Sequence, residues 1–460
     1  MKEKLRAALE GLDVDYSDIR FDEECKTQIT LSSGRVENIA TFSPRGGHVR
    51  AYVNGAKAIA SFSRIEDARR TAEETAAAAH AAAAHAGHAI SLAEAPVVED
   101  DFAVTSASDP RNVSLREKTD LLRHYDVIGS AAADVVMTQF HYGDSYAHRV
   151  YANTDGTLVS YEHLISHILG VLVGRRGDTV RQAFFAIGGC TDFGRLLNRE
   201  ELLRQSLADL DELLSAQPAI AGVHPIVLDP FGAGIFIHEA FGHTSEADMT
   251  RREPMLRERL KLGATIASPI LHVMDDPTIA DRGGTYPIDD EGVIGRPVTL
   301  IREGLVAGRM HSRETAAAFG EPVTGHCRAS DAGYEPVIRM SNTVIEPGES
   351  ALDEMIASID DGYYIAGGAG GQGGIYFTFG ARWARRIRGG KLGEMVSDAN
   401  LSGNLFTTLK GISMVGNDQQ LFEYCDCGKG SFDGIQMTTR ICAGAPHIKI
   451  DAVTVGGVSA

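Results

Sequence analysis

The stretch FIHEAFGHTSEAD, residues 236–248, holds a histidine–glutamate pair and, little more than a turn later, a second histidine. His238, Glu239 and His243 spell H-E-x-x-x-H. That is one residue longer than the H-E-x-x-H arrangement, which sets two imidazoles on one metal ion. In a regular α-helix, residues four apart differ by about 40° around the axis and residues five apart by about 140°. His238 and His243 therefore diverge unless the helix changes. A π turn, with i→i+5 bonding, brings residues five apart nearly into register. A break at Gly242 would also serve, because glycine tolerates more of backbone space. The helix should begin at Asp229-Pro230, with Asp229 as N-cap and Pro230 in the first helical position.

A catalytic zinc site needs three protein ligands and one open position, with a carboxylate above it as base. Glu239, directly after the first histidine, suits that base. The third ligand must come from elsewhere. On residue type alone the candidates are Cys327, Cys425, Cys427, Cys442, His326 and His447. The pair Cys425 and Cys427 in YCDCGKGS, residues 424–431, would point the same way in a strand and apart in a turn, so spacing does not choose between them.

Upstream of the motif the chain alternates helical and strand-like passages. Residues 1–19 read as a short amphipathic helix. From 26 to 62 the runs TQITLSS, RVENIATFS, GHVRAYVNG and KAIASFS are separated by Gly34 and Asn54-Gly55, as in an antiparallel sheet. The alanine-rich run 64–89 is a helix, and its His80, His85 and His88 are better read as tolerated on such a helix than as ligands. A loop fills 95–113. Residues 114–132 are helical, and strands follow with turns at Gly143-Asp144 and Asp155-Gly156. Leucines at 202, 203, 207, 210, 213 and 214 mark an amphipathic helix over 198–218.

After Pro218 short strands and turns dominate, with helices expected only at 315–319 and 351–359 besides the motif helix. This predicts an α+β fold. An N-terminal α+β domain with an antiparallel sheet spans 1–220, a β-rich domain spans 221–460, and the metal-binding helix lies near the boundary. GAG at 232–234 lacks the third glycine of a dinucleotide turn, where Ile237 stands. The glycine-rich run 366–380 lacks the Lys-Ser/Thr of a P-loop and suits a close backbone approach at a cleft. DDEG at 289–292 reads as a turn rather than a second metal site, and His224 as structural.

Net charge is −18 at pH 7, which argues against a nucleic-acid partner. RWARRIR at 382–388 reads as the solvated face of a strand. The first residues lack the apolar core of a signal peptide, and no uninterrupted apolar run is long enough to span a membrane. Six scattered cysteines then read as reduced thiols in the cytoplasm.

HEAFGHTSEAD, followed by GATIASP, DDP, YPIDDEG, RMSNT, GGQGG and CGKG, resembles the TldD/PmbA family. The N-terminal RGGHVRAYVNGAKAIASFS resembles its first sheet more loosely. The resemblance implies a zinc metallopeptidase of the TldD-like catalytic branch. On it, His238, His243 and Cys427, the cysteine of C-G-K, hold zinc, and Glu239 acts in catalysis. It implies short or unfolded peptides as substrates, and a homodimer or a heterodimer with a PmbA-like (TldE-like) subunit. It also admits a second reading, a weakly catalytic or non-catalytic scaffold subunit of such a dimer. Members carry the description "modulator of DNA gyrase", which a chain of this negative charge does not support.

Overall fold

A computed structural model describes residues 1–458 apart from 86, 88, 369–370, 423–425, 432–433 and 439. His88 and Cys425 therefore lie outside the described residues. The chain is α+β, with strands from 16 to 190 in one sheet and those from 217 to 455 in others.

The first sheet is built on strands β1 (Tyr16–Ser32), β2 (Arg35–Phe42), β3 (Arg45–Val53), β4 (Ala56–Phe62), β5 (Glu99–Phe102), β6 (Val135–Asn153), β7 (Leu158–Arg176) and β8 (Thr179–Cys190). Their order is β4-β3-β1-β6-β7-β5, with β2 added to β1 and β8 to β7. Pairing is antiparallel except for β5, which runs parallel to β7. β6 and β7 are 19 residues each, so they reach about 60 Å at the usual rise per residue. Helices α1 (Lys2–Leu9) and α2 (Ala68–Ala83) cover one half of the sheet. Ala79 of α2 packs on Ala51 and Val53, where a larger side chain would hold the helix off. Helices α3 (Leu115–Ser130) and α4 (Glu200–Leu213) cover the other half through Leu122, Tyr125, Leu203 and Leu210. His80 bonds the Asp13 carbonyl at 2.7 Å, as a surface residue.

Two readings change here. The N-terminal helix ends at Leu9, and residues 16–19 already belong to β1. β5 lies inside the stretch expected to be loop. The first half of β1 escaped notice, though TQITLSS marked its second, because both faces are covered along 16–22. Ile19 and Phe21 enter the helix-packed core, while Asp18, Arg20 and Asp22 on the other face are buried as ions.

Asp18 and Asp22 pair with arginines of the same sheet, and those arginines in turn reach DDEG. Its turn buries Asp289, Asp290 and Glu291 against the first sheet. Arg149 reaches Asp290 at 2.8 Å and Arg50 reaches Glu291 at 2.9 Å and Asp18 at 2.5 Å. Arg20 joins Asp22 at 3.0 Å, and Tyr161 bonds Asp290. Asp289 is spent on backbone N–H groups of Glu291, Val293 and Cys327. The carboxylates are committed to structure, as the turn reading requires.

The second half holds a ten-stranded and a six-stranded sheet. Strand Gly222–Leu228 lies between Ile448–Val455 and Asp361–Ala366 in the larger one. Helix α5 (Pro230–Phe236) leaves this strand and enters the core between the sheets. Phe236 meets Phe377, and Gly234 lies under Phe422, where an added Cβ would come within 2.5 Å of the ring. The GAG glycines thus serve packing. Helices Arg313–Phe319 and Leu352–Ala357 appear where expected, joined by an unanticipated Leu405–Lys410. RWARRIR does form a strand, but Arg386 is buried on Asp361 and Tyr363 rather than solvated. No helix is long and apolar enough to cross a membrane among the described residues.

Candidate metal centre

Asp229 caps α5 as its sequence suggests. Its carboxylate accepts from Gly232 N–H at 2.6 Å and from Gly367 N–H at 2.8 Å, which ties the helix start to the end of a neighbouring strand. After Phe236 the helix widens: residues Ile237–Gly242 form a π turn, in which the His243 N–H bonds the His238 carbonyl. Of the two ways to bring the histidines together, the chain uses this one. The rings of His238 and His243 stand 5.2 Å apart, nearly perpendicular. Gly242 stays helical and makes room for Met340, whose sulfur sits 2.1 Å from where a Cβ would be.

The third group arrives from the far end of the chain. Cys427 opens a strand, Cys427–Ser431, paired with Gly434–Thr438, and its sulfur lies 3.5 Å from His243 Nε2. His238, His243 and Cys427 each offer one ligand atom, all within 4.8 Å of one another, and are the one such cluster among the described residues. The other candidates are placed elsewhere. His326 bonds Asp275 at 3.0 Å, and His447 bonds Asp418 at 2.6 Å and Tyr364 at 3.0 Å. Cys327 is buried near the Asp289 turn, and Cys442 donates to the Phe422 carbonyl at 3.2 Å. His224 lies edge-on to Tyr363.

The donor set suits a soft to borderline cation such as zinc: two imidazoles and a thiol. His238 is 4% exposed, and neither ring nitrogen has a hydrogen-bond partner. A buried imidazole left so is costly, and a ligand removes the cost. Burial pushes the Cys427 thiol up, but the adjacent His238 and His243 rings outweigh it and bring its pKa to about 6. The sulfur is thus disposed to be a thiolate, the form that binds metal.

A further set of residues orients these groups. Glu246 accepts from His243 Nδ1 at 3.3 Å, which leaves Nε2 toward the sulfur. Lys429 holds Glu246 at 2.9 Å, Asp248 at 2.9 Å and the Ile338 carbonyl at 2.7 Å. Burial works against ionised Glu246, yet Lys429 and His243 outweigh it and set its pKa near 2. Arg339 donates to the Cys427 carbonyl at 2.7 Å. Glu246 and Lys429 lie inside the quoted motifs, but the sequence reading passed over them. The signal was there: Glu246 follows His243 by three helical positions, and Lys429 follows Cys427 by two strand positions.

Glu239 is partly open, its side chain 30% exposed, with one carboxylate oxygen 3.9 Å from His243 Nε2. Gly373 of the glycine-rich run passes against its backbone: a Cβ there would fall 1.9 Å from the Glu239 carbonyl oxygen. The run does make the close approach its composition suggests; its residues 369–370 lie outside those described. His238 and Glu239 border a cavity of about 370 Å³, whose opposite wall comes from β7 and β8.

His238 and Glu239 thus stand at the wall of a cleft, with His243 and the low-pKa Cys427 grouped beside them, an arrangement of the kind a metallopeptidase uses. The chain's relatives agree with it. The family model described as PmbA/TldA metallopeptidase C-terminal domain matches residues 221–457, the one for domain 1 matches 17–83 and the one for the central domain 108–205. A Synechocystis metalloprotease is 34% identical over 97% of this chain and 96% of its own. A Saccharolobus solfataricus zinc metalloprotease TldD homolog is 30% identical over 69% of this chain and 70% of its own. Among solved structures, TldE from Thermococcus kodakarensis shares the fold, with TM-score 0.75 at 19% identity, covering 99% of this chain and 100% of its own. The chain belongs to the PmbA/TldD family of metallopeptidases.

Proposed function

We propose that the protein is a zinc-dependent peptidase acting on short or unfolded peptides, with His238, His243 and Cys427 as ligands and Glu239 as general base. The observation that carries this is His238: a buried imidazole with two unpartnered nitrogens, grouped with His243 and Cys427. When bound, zinc supplies a Lewis acid that polarises a carbonyl and lowers the pKa of water toward neutrality. Glu239, partly exposed on the cleft side, takes the proton of the attacking water and delivers it to the leaving amine. Glu246 and Lys429 fix the His243 ring, and Arg339 fixes the Cys427 backbone. Residues 221–460 form the metal-bearing domain in this reading, and residues 1–220 form a substrate-facing one whose sheet walls the cleft. The active form is a dimer in the cytoplasm, with itself or with a PmbA-like subunit.

Metal content of tag-free protein by mass spectrometry tests the ligand set. One zinc per chain is expected in the wild type and none in His238→Ala; no zinc, even after its addition, would overturn it. Glu239→Gln should keep its zinc and lose about 10²–10⁴-fold in turnover of an unstructured peptide.

A further inference from the structure

The cavity beside Glu239 is apolar on two facing walls, with His238, Glu239, Arg382 and Asp426 at its border. On the first sheet Leu169 pairs with Ala186 and Val171 with Phe184, so all four side chains share one face. Their neighbour Phe185 turns the other way, into the helix-packed core. Opposite, Phe231 and Ile235 stand four positions apart on α5, one turn before His238. These six side chains line the cavity and are all only half-buried. The floor is Ile441 and Ala443, both buried. Arg382 lies over the Phe231 ring at 4.2 Å.

Beyond Leu169 and Asp426 the character changes. A second cavity of about 370 Å³ shares these two residues, and is lined by Glu24, Lys26, Arg149, His163 and Arg440 among others. The two facing apolar walls therefore lie on the side where His238 and Glu239 open, whereas the second cavity mixes its charged groups with Ala147, Ile165 and Met437. Apolar surface facing water in a cleft is recovered only when something apolar fills it.

The geometry points to a primary specificity recess: the cavity between β7–β8 and α5 takes a large apolar side chain, aromatic by preference, from the residue adjoining the scissile bond. This rests on the peptidase reading. Phe184 and Phe231 offer ring faces and edges to such a side chain. A charged side chain placed between these walls would lose its water against six apolar side chains, and the charged groups of the cavity, Arg382 among them, stand outside those six.

The test separates the two readings by measuring binding apart from turnover. Zinc-loaded Glu239→Gln protein is titrated into fluorescein-labelled hexapeptides, followed by fluorescence anisotropy. The peptides are alanine throughout except for Phe, Ala or Asp at the third position. The Phe peptide should bind at least about tenfold more tightly than either the Ala or the Asp peptide. Ala186→Trp, which fills the recess from the first sheet, should cut the Phe advantage to about twofold or less. Equal Kd values for the three peptides would overturn the recess, and because that comparison needs no recess variant it stands even if Ala186→Trp misfolds. Wild-type protein is then assayed for cleavage of the same peptides. A Phe preference in binding with no cleavage by the zinc-loaded wild type would leave the recess in place and remove the peptidase reading. Cleavage of all peptides with equal kcat/KM and equal Kd would do the reverse.

Discussion

Two buried polar regions involve the second half of this chain, one where it meets the first sheet and one within it, and they are satisfied differently. At the DDEG turn each buried charge of Arg20, Arg50, Arg149, Asp18, Asp22, Asp290 and Glu291 has an opposite charge within 3.5 Å. At the histidine motif, the His238 ring nitrogens make no hydrogen bond of ordinary geometry, and only His243 and the Cys427 sulfur of the same cluster stand beside them. A polar group withdrawn from water must be matched, by the chain or by something the chain binds. The first region is matched charge to charge by the chain, even where Arg20 Nη1, Asp22 Oδ2 and Arg149 Nε make no hydrogen bond, and it holds the first sheet against the second half. The second is left for a ligand. Both are rich in acid and base, so composition alone cannot tell them apart; the inventory of partners can.

The comparison breaks most visibly at Arg149. Arg149→Ala leaves Asp290 and Asp22 buried without their main cation and should cost about 3–5 kcal/mol in urea unfolding. His238→Ala, an equally buried polar residue, should cost the metal-free protein far less, because it deletes nitrogens that bond nothing. If the two variants are equally unstable without zinc, the distinction between matched and unmatched regions fails. A finer probe is Glu246→Gln, which loosens the His243 ring without removing a ligand. Zinc affinity, read by competition with a chelator, should fall about 10–100-fold. The smallest effect belongs to a histidine that takes part in neither region: His80→Ala should stay within about 0.5 kcal/mol of the wild type in the same unfolding assay.

The sequence was most legible where local chemistry alone dictates structure. Asn54-Gly55 announces the β3–β4 hairpin, and Asp229-Pro230 the start of α5. The histidine pair was legible too, down to the need for a widened turn. Cys427 was not legible from the residues, because it lies 184 positions from His243 and nothing in its spacing distinguishes it from Cys425. The resemblance pointed to it, and the fold brings it to the histidines. The first half of β1 was hidden because alternation marks a strand with one wet face, and this one has none along 16–22. Likewise the role of DDEG depends on Arg50 and Arg149, which reach it only through the tertiary fold.

The π turn can also be seen as a count of residues. Take one out between Glu239 and Gly242, and the motif shortens to H-E-x-x-H on an ordinary helix, with its histidines still close. Glu246, three positions after His243, would travel with it and stay on the same side. The widened turn therefore takes up one surplus residue without turning the helix beyond it: His243 still faces His238, and Glu246 still meets Lys429. The π turn is thus a phase correction, which lets one helix keep two appointments, with the metal on one side and with its own anchors on the other.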